Sequence, residues 1–126
     1  MIEVYDRTVA ETDIDIITAS PVVARQNTDD GKSVYCAPDD PMFQDVINTN
    51  FGNKFESFAG YYPGYGIIIE PRGKFRKVVT NFKGTWVTAY HGKFHLIGEP
   101  QTLDFLYQTG LGNKSSQGFG MFDIIE

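Results

Sequence analysis

The sequence predicts an α+β domain in which two helices pack on one face of an antiparallel sheet. Three observations carry this reading. Phe43, Ile47, Phe51, Phe55 and Phe58 follow one another at spacings of 4, 4, 4 and 3, an apolar stripe at helical period. Asp13-Ile14-Asp15-Ile16-Ile17 alternates charged and apolar residues, the period-two pattern of a half-buried strand. Pro71-Arg72-Gly73 and His91-Gly92-Lys93 lie between β-rich runs as turn sequences.

In chain order, residues 2–9 read as a short extended piece. The strand at 13–17 is expected to continue through Ser20-Pro21-Val22-Val23-Ala24, with Pro21 at an edge or bulge because it lacks the ladder donor. Residues 26–33, rich in Asn, Asp, Gly and Ser, read as a turn. Asp40 is placed as the helix N-cap and Pro41 at the first helical position, where no N–H is needed. Gly60 ends that helix, whose polar face carries Asn48, Asn50, Asn53 and Lys54. Two hairpins are expected next. Residues 65–70 and 74–82 flank the first turn, Gly84 interrupts, and residues 86–90 and 94–97 flank the second. A shorter helix, Pro100 to Thr109, sets Leu103, Leu106 and Tyr107 on one side and stops at Gly110, and residues 119–125 form a closing strand. The order is βαββαβ with an extra β-hairpin before the second helix, a ferredoxin-like arrangement.

The 126 residues have the length of one domain, read as 1–126, and 41% hydrophobic with 14% aromatic content is globular rather than disordered composition. A single cysteine, Cys36, rules out an internal disulfide and a cysteine-based zinc cluster. No apolar run approaches the ~20 residues of a membrane helix. The first residues are not a basic stretch followed by an apolar core, so no signal peptide and no membrane association are expected, and the location is read as cytoplasmic. The net charge of −5 argues against a nucleic-acid binder when taken as an average. The charge is unevenly distributed, however: residues 1–45 hold ten of the 16 acids and only three of the 11 bases. Arg72, Lys74, Arg76, Lys77 and Lys83 fall in a stretch, 72–83, that contains no acid.

The strongest local signal is Gly110-Leu111-Gly112-Asn113-Lys114-Ser115-Ser116-Gln117-Gly118-Phe119-Gly120. Glycines allow positive φ and close approach of a ligand to the main chain, and successive N–H groups in such a loop make an anion-binding concavity. Lys114 adds a charge and Ser115 and Ser116 add hydroxyls. The Walker spacing fails, because five residues separate Gly112 from Gly118 and Phe119 follows. The dinucleotide fingerprint fails too, because position 115 is Ser and the order is helix then strand. The plain alternative is a tight connection between the last helix and the last strand.

Gly110-Leu111-Gly112, five residues, then Gly118-Phe119-Gly120 before a terminal apolar strand resembles the C-terminal Gly-rich loop of the CRISPR repeat-processing endoribonucleases of the RAMP (repeat-associated mysterious protein) superfamily. Ser20-Pro21-Val22-Val23 resembles the family's early Ser-Pro strand. Residues 35–43, Asn50, Lys54 and Phe55 resemble the approach to the first helix and the helix itself, and Gly98-Glu99-Pro100 resembles the lead into the second. The likeness covers nearly all of residues 13–126. The family carries two ferredoxin-like domains in tandem, and this chain, with the length of one, resembles the C-terminal one.

The resemblance implies CRISPR RNA processing by metal-independent RNA cleavage, in which the ribose 2′-hydroxyl attacks the adjacent phosphorus. No metal or cofactor is implied. The partner implied is CRISPR repeat RNA, with a separate N-terminal domain or other CRISPR-associated proteins as further partners. Gly110, Gly112, Asn113, Lys114, Ser115, Ser116, Gly118, Phe119 and Gly120 would meet RNA phosphates. Arg72, Lys74, Arg76, Lys77 and Lys83 would track the strand, and Phe75, Phe82 or Trp86 would stack on an unpaired base. The family's acid-base histidine usually lies in the N-terminal half, so no residue here is assigned a catalytic role. His91 reads as exposed at a turn and His95 as a strand residue. Taken by themselves, Trp86 and the phenylalanines suit a core better than a stacking role, and a basic hairpin arm suits a solvated sheet face better than an RNA contact. The competing reading is a non-enzymatic ferredoxin-like module that binds a protein partner or a small anion. RNA binding would weaken steeply with salt, and an apolar protein contact would not.

Overall fold

Alternation of Asp13 and Asp15 with Ile14 and Ile16 sends the two isoleucines inward and leaves the carboxylates in solvent. A strand with one wet face is the result. The computed structural model describes residues 9–28 and 30–125, so the extended piece expected at 2–9 lies outside the described residues except for Val9. In chain order the elements are β1 (Asp13–Thr18), β2 (Arg25–Asn27), β3 (Ser33–Tyr35), α1 (Phe43–Ala59), β4 (Ile68–Phe82), β5 (Thr85–Ile97), α2 (Pro100–Thr109) and β6 (Phe122–Ile125). The main sheet runs β4-β5-β1-β6 with every neighbour antiparallel. With the first helix between β1 and β4 and the second between β5 and β6, this is the ferredoxin-like order.

Ile14 pairs with Leu96 and Ile16 with Phe94, while Ile69 joins Leu96 from the other side. These residues form one buried cluster with Phe43, Val46, Ile47 and Phe51 of α1 and with Leu103 and Leu106 of α2. Both helices therefore cover the same sheet face. Each large side chain buried there contributes roughly 1.5–3 kcal/mol. Phe55 is only partly buried at the rim, and Phe58 is 80% exposed, its ring 5.8 Å from that of Phe105. The helix starts at Phe43, two residues later than expected. Asp40 Oδ1 accepts the Met42 N–H at 2.8 Å, so the aspartate closes the turn that leads into α1. Gly60 ends α1 in the left-handed region, its N–H donating to the Glu56 carbonyl.

The two hairpins expected over 65–97 are one. β4 and β5 pair from Ile68–Ile97 to Phe82–Thr85, and the turn is Lys83-Gly84. Both turn residues have positive φ, 53° and 84°, the geometry of a two-residue turn whose twist matches the strands it joins. Pro71 is tolerated because β4 is the sheet edge. Gly73 falls in a bulge, where Gly73, Lys74 and Phe75 stand opposite Gly92 alone. A Cβ on Gly92 would lie 3.1 Å from that of Phe75, so the bulge folds back over its partner strand there. The extra hairpin of the molecule lies elsewhere. β2 pairs with β3 within the region read as a turn, and the turn itself is closed by the Thr28 N–H donating to the Lys32 carbonyl.

The strand expected through Ser20–Ala24 stops at Thr18. Val22 then bridges Tyr90, and Val23 bridges Gly112 and Asn113. Val23, Val87, Ala89 and Phe119 form a second small buried cluster, under the far half of the long hairpin.

Candidate nucleic-acid interface

The bulge in β4 turns a basic strand into a groove. Arg72, Lys74, Phe75 and Arg76 on one side and His91 and Lys93 on the other line an open cleft of about 810 Å³, floored by Ile17 and Thr18. No carboxylate lines it. Glu70 lies outside and reaches Arg72 Nη2 at 3.5 Å, both side chains about half exposed, a pair that holds little energy. Lys77 is exposed on the same strand, and Lys83 stands at the hairpin turn. Of the five basic residues singled out in the sequence, three share the cleft, and Lys93, not among them, joins from β5. Trp86 is 65% exposed beside the turn, which settles it as a surface residue rather than core. Phe75 is half-buried, its ring edge-on to Tyr90 at 5.8 Å. The Phe82 side chain lies outside the described ones.

His91 is not at a turn. It sits within β5, half-buried, with Nδ1 2.9 Å from Thr18 Oγ1. That hydroxyl also accepts the Gly92 N–H at 3.1 Å. The hydroxyl thus accepts from the main chain and shares a hydrogen bond with Nδ1 whose direction follows the His91 tautomer. Burial, with the nearby Arg76 adding to it, holds the imidazole below its usual pKa, so it stays neutral more readily. His95 is set between two carboxylates, Asp15 Oδ1 at 2.7 Å and Asp13 Oδ2 at 3.5 Å. Cys36 is buried, and burial with Asp40 beside it pushes its thiol pKa up.

The Gly-rich loop is bound closely to its own chain. Gly110 N–H donates to Leu106 O at 2.7 Å, Leu111 N–H to Gly120 O at 2.9 Å, Asn113 N–H to Val23 O at 2.7 Å and Gly120 N–H to Pro21 O at 2.8 Å. A Cβ on Gly112 would sit 2.3 Å from Val23 O, and one on Gly120 would sit 1.9 Å from Leu111 O. These two glycines are there because main chain meets main chain. Gly118 differs: its φ is 97°, and nothing lies within 4 Å of its absent Cβ. The outward part of the loop is Lys114 to Gly118, a left-handed Lys114 (φ 62°) followed by one 3-10 turn, Ser115–Gln117. The N–H groups of Lys114, Ser115 and Ser116 take no bond within the described residues. Phe119 is buried and belongs to the second core cluster.

Lys54 is the residue that site reasoning from the sequence missed. It reaches from α1 beneath the loop, Nζ donating to Gly110 O at 2.8 Å and Ser115 Oγ at 3.0 Å. Burial lowers its pKa from 10.5 to about 8. Its place on the polar face of the helix is that of a solvent-exposed lysine. Only the loop's position shows otherwise. Among the described residues no three His, Cys, Asp or Glu side chains converge as a metal-ligand set, and no helix is long and apolar enough to cross a membrane.

Residues 5–124 match the family model described as CRISPR associated protein Cas6, C-terminal. A Cas6-related protein of Pyrococcus furiosus superposes with a TM-score of 0.87 at 26% identity, over 96% of this chain and 51% of that one. A RAMP protein described as binding different RNA substrates superposes at 0.85 with 24% identity, over 99% of this chain and 52% of that one. A further CRISPR associated protein Cas6 gives 0.81 at 24% identity, again over 99% and 52%. The chain thus spans about half the length of these solved structures. No curated protein matches it.

Proposed function

This chain belongs to the CRISPR-associated Cas6 family, in the part described as C-terminal, and on that premise we propose that it is the RNA-gripping half of a CRISPR repeat-processing endoribonuclease. The observation that carries the reading is the carboxylate-free cleft at the β4 bulge, where Arg72, Lys74, Arg76 and Lys93 face one another across an open groove. Four cations around one cleft in a chain of net charge −5 are repelled by each other and stabilised by a polyanion. In this reading phosphates of the precursor repeat RNA enter the cleft, whose wall includes His91. A second phosphate meets Lys114 and the outward N–H groups of Lys114, Ser115 and Ser116. Trp86, exposed beside the turn, offers a stacking surface for an unpaired base. Gly110, Gly112 and Gly120 support the loop, and Lys54 holds it from below.

The proposed reaction is metal-independent. The ribose 2′-hydroxyl attacks the adjacent phosphorus, the bond to the 5′-oxygen breaks, and a 2′,3′-cyclic phosphate and a 5′-hydroxyl result. A base removes the 2′ proton and an acid returns one to the leaving oxygen. Cations near the phosphorane stabilise its charge. His91 is tied through Nδ1 to Thr18, His95 is engaged by Asp15 and Asp13, and the acid-base histidine of the family usually lies in the N-terminal half. The acid-base pair is therefore assigned to an N-terminal half, and the complex to the cytoplasm where the repeat transcript is made. The test is incubation with repeat RNA in EDTA, with and without an N-terminal half. Binding that weakens steeply with salt, without cleavage by this chain alone, is expected. Salt-insensitive or absent RNA binding would overturn the reading, and single-site cleavage by this chain alone would overturn the division of labour.

A further inference from the structure

The cleft at the β4 bulge gathers cations around one imidazole. Arg76 stands opposite His91 in the β4–β5 register, Lys93 follows along β5, and Arg72 and Lys74 line the bulged side. β1 contributes Ile17 and Thr18, which carry no charge. The carboxylates of the surrounding strands stand outside the cleft. Glu70 is paired with Arg72, Asp13 and Asp15 hold His95, and Asp123 of β6 lies opposite Ile17 in register. No acid lining the cleft therefore favours an imidazolium, while burial first and Arg76 next disfavour it. A phosphate in the cleft reverses that balance, because a negative charge beside the ring favours its protonated form. The Thr18 hydroxyl serves both charge states. It accepts the Gly92 N–H at 3.1 Å and lies 2.9 Å from His91 Nδ1. A hydroxyl has acceptor lone pairs and one rotatable hydrogen. Beside a neutral ring with a bare Nδ1 it donates to that nitrogen. Beside an imidazolium it accepts from Nδ1–H, keeps the Gly92 bond and turns its own hydrogen away from the ring. The bond outlasts the change of charge by reversing its direction.

We propose that His91 takes up a proton from solvent when an RNA phosphate enters the cleft, so that it becomes a further cation of the site only in the complex, with the Thr18 hydroxyl accepting from it. Between the pH at which the free ring charges and the higher pH at which the bound ring charges, the complex carries one proton more than its separated partners. Affinity therefore rises as pH falls through that window, and levels off once the free ring is charged as well. The inference rests on the RNA reading above and adds to it a dependence on pH.

The test uses the full chain and a fluorescent oligouridine, whose bases do not titrate in the range used. Binding at constant ionic strength is expected to tighten about tenfold from about pH 7.5 to about pH 5.5. His91→Gln should bind with nearly the same affinity across that range, while His95→Gln should keep the tenfold change. A merely structural His91 would alter the affinity of its variant and leave the pH profile in place. The chain has two histidines, so their ring C–H signals can be followed by NMR on the unaltered protein, with His95→Gln telling them apart. The His91 signal should titrate at a higher pH with oligouridine bound than without it, and this measurement decides alone if His91→Gln does not fold. Salt-sensitive binding with an unmoved His91 titration overturns the inference and leaves the RNA reading standing. A pH dependence that persists in folded His91→Gln does the same. Absence of oligouridine binding at every pH overturns both.

Discussion

Between Gly110 and Gly120 the main chain is tied to Leu106, Pro21 and Val23 and to itself, whereas between Arg72 and Lys93 the side chains stand across an open groove. Both regions have the composition of a phosphate site. Glycine, however, serves packing as readily as binding, because removing a Cβ admits either a ligand or another stretch of backbone. Lysine and arginine are less ambiguous. Burying a charge is costly, so a cluster of cations stays at the surface unless it is paired. Lys54 shows the exception, a cation drawn under the loop and held by a carbonyl and a hydroxyl. The lesson is that the loop is a scaffold with a small outward face at residues 114–118, and the bulged hairpin is the main charged surface.

The largest effect expected from this contrast is on stability. Gly120→Ala places a Cβ 1.9 Å from Leu111 O and strains a positive φ, and should cost on the order of 3 kcal/mol or more. Gly118→Ala strains φ alone and should cost about 1–2 kcal/mol. Urea unfolding of both measures the difference, and equal costs would erase the distinction between packed and outward glycines. On the hairpin, Arg72→Ala with Arg76→Ala should leave stability within about 0.5 kcal/mol. The same pair should reduce the salt dependence of RNA binding by roughly 1.4–1.8 units of slope. A fluorescence titration at several salt concentrations reads it, and an unchanged slope would move the main phosphate contacts elsewhere. Lys114→Ala should flatten that slope by about one unit or less, uniformly across RNA sequences.

A separate effect, on pH dependence, sharpens the role of Lys54. Its folded pKa of about 8 lies below the unfolded value near 10.5. Between those values the unfolded chain binds more protons, so stability rises with pH across that window. Lys54→Met lacks this contribution. The unfolding free energy of wild type relative to Lys54→Met should therefore increase from pH 8 to pH 10.5. A flat difference in urea unfolding would mean that the amine is solvated rather than held under the loop.

Local pattern was enough for much of the fold. The spacing of Phe43, Ile47 and Phe51, the stop at Gly60 and the alternation at 13–17 each depend on one turn or one pleat, and each reappears in the structure. The second helix reappears with the expected bounds. The order of elements then limited the topology to few choices, and the charge of 72–83 located the groove. The tertiary structure alone decided the rest. Pro71-Arg72-Gly73 and Lys83-Gly84 both look like turns locally, and cross-strand pairing over the full length of β4 and β5 selects the second. Gly112 and Gly120 are required by Val23 and Leu111, residues that nothing in their own spacing connects to them. Lys93 enters the basic cleft and Lys54 leaves solvent through contacts between distant segments. Periodicity is a property of neighbours along the chain. Register, close approach and desolvation are properties of neighbours in space, and no single stretch of the sequence contains them.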